Sequence, residues 1–186
     1  ILKKEQITMY LPEGSFYADV LRFEEKDRKI LRDIYYHWRS LCDELSSMEG
    51  RNVNLPEGLS ESAFCLEMNT VRMTSPITGA NTSFDCYRIS DHKRIQVKAC
   101  SVLPDLTSFG PKSVWDEIYF ADFYRKGKWD GTFDIYKIDN DLIYNHKVNS
   151  NQTLRDQQMQ RRRPRFSIYK NIILPYNMKP IKTGKL

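Results

Sequence analysis

Little in this chain points to soft-metal or redox chemistry. It has four cysteines, Cys42, Cys65, Cys86 and Cys100, and none forms a C-x-x-C pair. That leaves zinc-ribbon and thioredoxin-type sites without their ligands. Its three histidines, His37, His92 and His146, are scattered. They give neither metal-ligand spacing nor the His-Asn pattern of His-metal finger nucleases. No apolar run is long enough to span a membrane, no internal repeat or low-complexity tract is visible, and no signal-peptide pattern opens the sequence. So few thiols, mostly inside regular elements, fit a reducing compartment. Any metal held here is expected to be hard and bound by oxygen.

What remains is a chain of 186 residues, rich in aromatics, with a net charge of +5. The length suits one domain with a substantial core, so residues 1–186 are read as a single unit. The charge is unevenly placed. Residues 151–186 hold nine Lys or Arg and one acid, which exceeds the whole chain's surplus and leaves the rest net acidic. A basic segment on an acidic body is the footprint of a phosphate-backbone partner, or else a solvated tail.

Read in order, Leu11-Pro12-Glu13-Gly14 is a turn. A long amphipathic helix, straight or bent, is expected from Ser15 to Gly50, because Phe16, Val20, Phe23, Ile30, Ile34, Trp38, Leu41, Leu45 and Met48 recur at helical spacing. Pro56-Glu57-Gly58 reads as a turn, followed by a helix over 61–71 capped by Ser60. Residues 103–111 are irregular. A helix is expected over 113–124, then strands over 133–138, 142–148 and 165–174. Between the last two lies a polar stretch, Thr153 to Arg163, which Pro164 stops.

The chemistry-bearing stretch is 83–100, two short β-type runs around the turn Ser90-Asp91-His92-Lys93. Asp85 opens the first run. On the second, alternation puts Gln96 and Lys98 on one face and Ile95, Val97 and Ala99 on the other. An acid beside an amide and an ammonium can hold a metal and a phosphate. A lone Asp and Lys on a hairpin are most often solvated charges, but Lys98 lies in an apolar run. Upstream, Glu67 shares a helix face with Ala63, Phe64 and Val71. A carboxylate there is either paired in a buried salt bridge or a fourth member of the site. Phosphodiester hydrolysis needs a positioned water, a Lewis acid and a countercharge. Asp85, the Gln96 carbonyl and Glu67 are the candidate ligands for Mg²⁺, and Lys98 the group that orients or deprotonates water. Arg155, Gln158, Arg161, Arg163 and Arg165 are the candidate DNA contacts, since Arg and Gln can read base edges bidentately.

The order of a helix Glu, a strand-start Asp and Gln-x-Lys resembles the PD-(D/E)xK nuclease superfamily. The strings Phe64-Cys65-Leu66-Glu67, Phe84-Asp85-Cys86-Tyr87-Arg88, Gln96-Val97-Lys98-Ala99, Thr107-Ser108-Phe109-Gly110-Pro111 with Trp115-Asp116, and Arg163-Pro164-Arg165-Phe166-Ser167-Ile168 resemble small Type II restriction endonucleases of the Bsp-type group that cleaves GC-N-GC sites. The resemblance implies an α/β (α+β) fold, a central mixed β-sheet flanked by helices. It also implies a Mg²⁺-dependent, sequence-specific endonuclease acting on double-stranded DNA. A homodimer in the bacterial cytoplasm, with no membrane and no small-molecule cofactor, goes with it. Asp85 and Lys98 carry over as the motif's acid and lysine, while Gln96 stands where most members have Glu or Asp. The competing readings are a modification-dependent or structure-specific nuclease of the same fold, and a non-catalytic DNA-binding protein.

Overall fold

The computed structural model describes residues 2–186. The chain opens with a hairpin of β1 (Lys3–Leu11) and β2 (Gly14–Arg22), with Pro12 and Glu13 as its two-residue loop. The expected turn is there, but residues 15–22 are strand rather than helix. Phe16 and Val20 are four apart, which fits either period. Buried Ala18 between them, and alternating Met9 and Leu11 opposite, make the period two. Helix α1 (Arg28–Ser47) follows, burying Leu31, Tyr35, Trp38 and Cys42 along one stripe.

Helix α2 (Glu57–Met68) begins directly after Pro56. Pro56-Glu57-Gly58 is therefore a helix start and not a separate turn, and Asn69, left-handed at φ 50°, ends the helix. Strands β3 (Val71–Met73), β4 (Cys86–Arg88) and β5 (Lys93–Cys100) come next, and β4 and β5 form the expected antiparallel hairpin. Residues 101–116 are mostly irregular, with β6 (Thr107–Ser108) inside them.

Where a helix over 113–124 was expected, β7 (Glu117–Asp122) runs parallel to β5. Its Ile118-Tyr119-Phe120-Ala121 block is buried on both faces. Such a run reads alike in a central strand and in a buried helix. β8 (Thr132–Ile138) matches the strand expected there. The strand expected over 142–148 is instead the short helix α3 (Asn140–Tyr144), capped by the Asp139 carboxylate, which accepts from the Asp141 N–H at 2.8 Å. Helix α4 (Leu154–Met159), β9 (Arg165–Phe166), a π-helical turn at Tyr169–Ile173 and β10 (Lys182–Lys185) complete the chain. The long strand expected at 165–174 is thus only two residues.

The main sheet is mixed, eight strands in the order β1-β2-β3-β4-β5-β7-β8-β10, with β5–β7 as its parallel pair. Both faces are covered. Leu31, Tyr35, Trp38 and Phe64 of α1 and α2 pack on Ile95, Val97, Tyr119 and Ala121. On the other face Ile118, Phe120, Tyr136 and Ile138 pack on Leu154, Phe166, Ile168 and Ile172. The mixed sheet between helical layers is the α/β fold that the sequence led us to expect. Among the described residues no helix is long and apolar enough to cross a membrane.

Candidate active site

Alternation along β5 decides what the site can contain. Ile95 and Val97 enter the core beneath the helices, so Gln96 and Lys98 point the other way. Asp85 lies just before β4, where its N–H donates to the Ile95 carbonyl at 3.0 Å. Its Oδ2 accepts from the Val97 N–H at 2.8 Å. Beyond Cys86 the ladder toward β5 has no further partner strand, and the carboxylate takes the peptide's place. Asp85, Gln96 and Lys98 thereby line one cleft of about 580 Å³, together with Glu57, Ser60 and Glu61 of α2 and the loop from Ser101 to Ser108.

The lysine is tightly placed. Its Nζ donates to the Ser108 carbonyl at 2.9 Å and lies 5.2 Å from the Phe109 ring centroid. Ser108 is fixed in turn by β6–β9 pairing with Arg165. Burial lowers the Lys98 pKa, against the pull of Asp85. Asp85 moves oppositely. Burial, reinforced by the negative charge of Glu61, pushes its pKa up to about 7. Burial likewise raises the Glu61 pKa, although Arg72 grips that carboxylate at 2.8 Å. A buried carboxylate whose proton affinity is raised by a second one nearby will also attract a cation.

Gln96 supplies a second sign of the same kind. It is buried, and its Oε1 has no hydrogen-bond partner. An orphaned buried acceptor costs about 1–3 kcal/mol, so a site that keeps one on a cleft wall has an oxygen donor to spare. Among the described residues no three Asp, Glu, His or Cys side chains converge closely enough to hold a metal. The donor set is instead two carboxylates and a neutral amide oxygen, all hard oxygen, which suits a divalent cation that retains several waters.

Glu67, expected in this set, is elsewhere. Its Oε1 accepts from Arg28 at 2.7 Å and its Oε2 faces Lys182 at 3.4 Å. The side chain is 8% exposed, packed so closely under Gly184 that a Cβ there would come within 2.8 Å of it. Glu67 clamps α2 to the start of α1 and to β10, which is the buried salt-bridge alternative. Glu61 is the helix acid that reaches the cleft. Six residues of helix separate the two and turn them about 120° apart. Because the helix begins after Pro56 and not at 61, Glu61 lies a full turn inside it, on the face turned to the cleft.

The basic segment divides. Gln158 donates to the Gly110 carbonyl at 2.9 Å. Arg163 lies beside the same glycine and near enough to Lys98 for its charge to help lower the lysine's pKa. These two meet at Gly110, two residues beyond the Ser108 carbonyl that holds Lys98. Arg155 sits over the Tyr144 ring at 4.6 Å, on the outside of a Trp115–Tyr144 stack. Arg161 and Arg165 are exposed.

A model of the Bsp6I restriction endonuclease family matches residues 23–175. The chain belongs to that family. A curated relative, the Type II restriction enzyme Bsp6I of Bacillus sp. (strain RFL6), is 32% identical over 171 residues, covering 90% of each chain. No solved structure matches. The matched span takes in α1, the cleft and the basic segment as far as Pro175, and the chain is a Type II restriction endonuclease, a site-specific deoxyribonuclease. The whole first hairpin, β1 and β2, and the last strand, β10, lie outside it.

Proposed function

We propose that the cleft is the phosphodiester-cleaving centre and that it works with Mg²⁺. The observation that carries this is the convergence of Asp85, Gln96 and Lys98 on one wall of a hairpin, with Glu61 arriving from the helix opposite. Asp85, Glu61 and the Gln96 carbonyl are the residues to hold the ion. When bound, it polarises the phosphoryl oxygens and offsets charge that builds on them. The remaining work belongs to the chain. Lys98, fixed by the Ser108 carbonyl, orients the attacking water and faces the developing negative charge. Its lowered pKa moves it toward the neutral amine that can accept the water's proton. Arg163 and the exposed Arg161 and Arg165 bind the backbone on either side, and Gln158 holds the loop they border.

The substrate we propose is a palindromic duplex site of the GC-N-GC type. A homodimer presents two such clefts to the two strands, in the bacterial cytoplasm. Incubating the protein with plasmid DNA and Mg²⁺, then sequencing the fragment ends, tests site and cut position together. Lys98→Ala is expected to abolish cleavage while duplex binding stays within a few fold. Unchanged cleavage by that variant would remove the hairpin from the mechanism.

A further inference from the structure

The cleft is polar at its floor and apolar at its lip. Val102 and Leu106 line it, yet they are 59% and 72% exposed. Leu106 is not exposed through slackness. Asp105 and Thr107, on either side of it, are each 7% exposed. Asp105 Oδ1 accepts from Ser167 Oγ at 2.7 Å and from the Tyr169 N–H at 3.1 Å. Its Oδ2 accepts from the Ile168 N–H at 2.9 Å and from the Thr107 hydroxyl. The loop's first turn is held by Trp129, whose Nε1 donates to the Ser101 carbonyl at 3.0 Å. The result is a rigid arch that holds one large aliphatic side chain out into water.

Exposed leucines are common, but this one has a defined neighbour. It stands two residues before Ser108, whose carbonyl holds Lys98. Two residues span at most about 7 Å, and adjacent phosphates on a strand are separated by about 3.4 Å along the helix. A phosphate at Lys98 therefore brings a base step within a step or two of Leu106. The sugar-phosphate backbone offers an aliphatic side chain no comparable apolar surface. The faces of base pairs do, and proteins that exploit them insert Leu, Ile, Phe or Met between steps. A side chain already fixed in its presenting geometry loses little entropy on doing so.

We infer that Leu106, backed by Val102, is a wedge that enters the duplex at the base step beside the phosphodiester held at Asp85 and Lys98, and partly unstacks it. This rests on the reading of the cleft as the cleavage site. The wedge opens the step, kinks the strand toward the cleft and makes deformability of that step part of what the enzyme selects.

The test places 2-aminopurine, one position at a time, at any-base positions of the mapped site and in its flanks. Ca²⁺ replaces Mg²⁺, and a gel verifies that the duplex stays intact. Wild-type binding, followed separately by anisotropy, is expected to raise the fluorescence severalfold at one position beside the cut. Leu106→Ala, at an exposed position that leaves the melting temperature unchanged, is expected to bind with that rise lost. A duplex carrying a mismatch at the same step has part of its unstacking done. Wild type is expected to prefer it by about tenfold and Leu106→Ala by less than twofold. Normal binding and cleavage with no fluorescence rise overturns the wedge alone. A rise that survives in Leu106→Ala does the same. Absence of both duplex binding and cleavage overturns the nuclease reading on which the wedge depends.

Discussion

The raised pKa of Asp85 makes the metal-free protein's stability depend on pH in a definite direction. A carboxyl whose folded pKa lies above its unfolded one binds its proton more tightly in the native state. Its contribution is full below the unfolded pKa and is lost as pH rises through the folded one. For Asp85 the window runs from 3.8 to about 7. At 1.36 kcal/mol per unit the ceiling is about 4 kcal/mol. Solvent on the open side of the cleft reduces this, and about 2–3 kcal/mol is expected between pH 5 and pH 8. Buried Glu61 and Asp122 tilt the curve the same way, and His146, whose pKa burial lowers, tilts it the other way. The difference between wild type and Asp85→Asn therefore isolates the effect. Urea unfolding in EDTA across this range should show wild type losing stability with rising pH and the variant losing about 2–3 kcal/mol less. Saturating Mg²⁺ should flatten the wild-type curve, because the ion binds the ionised form. Parallel curves for the two proteins would mean that Asp85 is not a strained buried carboxyl, and the metal argument would lose its main support.

Four other outcomes follow from the geometry. Glu61→Gln is expected to lose at least a hundredfold in cleavage rate with little change in melting temperature. Glu67→Gln should instead cost about 2 kcal/mol, since Arg28 loses a buried partner, and keep its cleavage rate; urea unfolding beside a plasmid assay separates them, and the reverse pattern would return Glu67 to the site. Arg163→Ala should weaken binding equally on cognate and non-cognate duplexes and lower the salt-dependence slope by about one; a loss confined to the cognate site would make Arg163 a base reader. Gln96→Glu is expected to lower the Mg²⁺ concentration for half-maximal cleavage by about tenfold or more, while destabilising the metal-free protein at pH 8. A Mg²⁺ titration with no shift would exclude Gln96 from the ligand set.

The sequence made the hairpin legible because its signals are local. A turn, two short β runs and the alternation of Gln96 and Lys98 against Ile95 and Val97 lie within eighteen residues. It was less informative where the deciding contact is distant. Phe16 and Val20 fit a helix until β1 pairs with them. Trp115, Ile118 and Tyr119 also fit one, and only parallel pairing with β5 makes 117–122 a strand. The two helix acids show the same limit more sharply. That Glu67 faces inward was readable from Ala63 and Phe64. That Arg28 and Lys182 wait there, 39 and 115 residues away, was not. Nor could spacing show that the exposed Arg165 would be tied to the lysine through a two-residue ladder, Thr107–Ser108 against Arg165–Phe166.

Gln96 is best understood through charge. Asp85 already carries a pKa near 7 with Glu61, and more weakly Glu57, as acidic neighbours across the cleft. A further carboxylate on the same buried wall would raise the Asp85 pKa again and leave the metal-free site more protonated than ionised near neutral pH. A neutral amide avoids this. Its carbonyl is a hard oxygen donor with a strong dipole, and it adds no repulsion before the cation arrives. The cost is an unpaired Oε1 in the free protein and a weaker pull on the ion. The phosphate of the substrate, anionic and brought in by the basic segment on the proposed reading, would then supply the charge that the amide lacks. On the proposed reading, a cation held by Asp85, Glu61 and Gln96 would find its full set of ligands only with DNA in the cleft, which would tie the assembly of the catalytic centre to the presence of substrate.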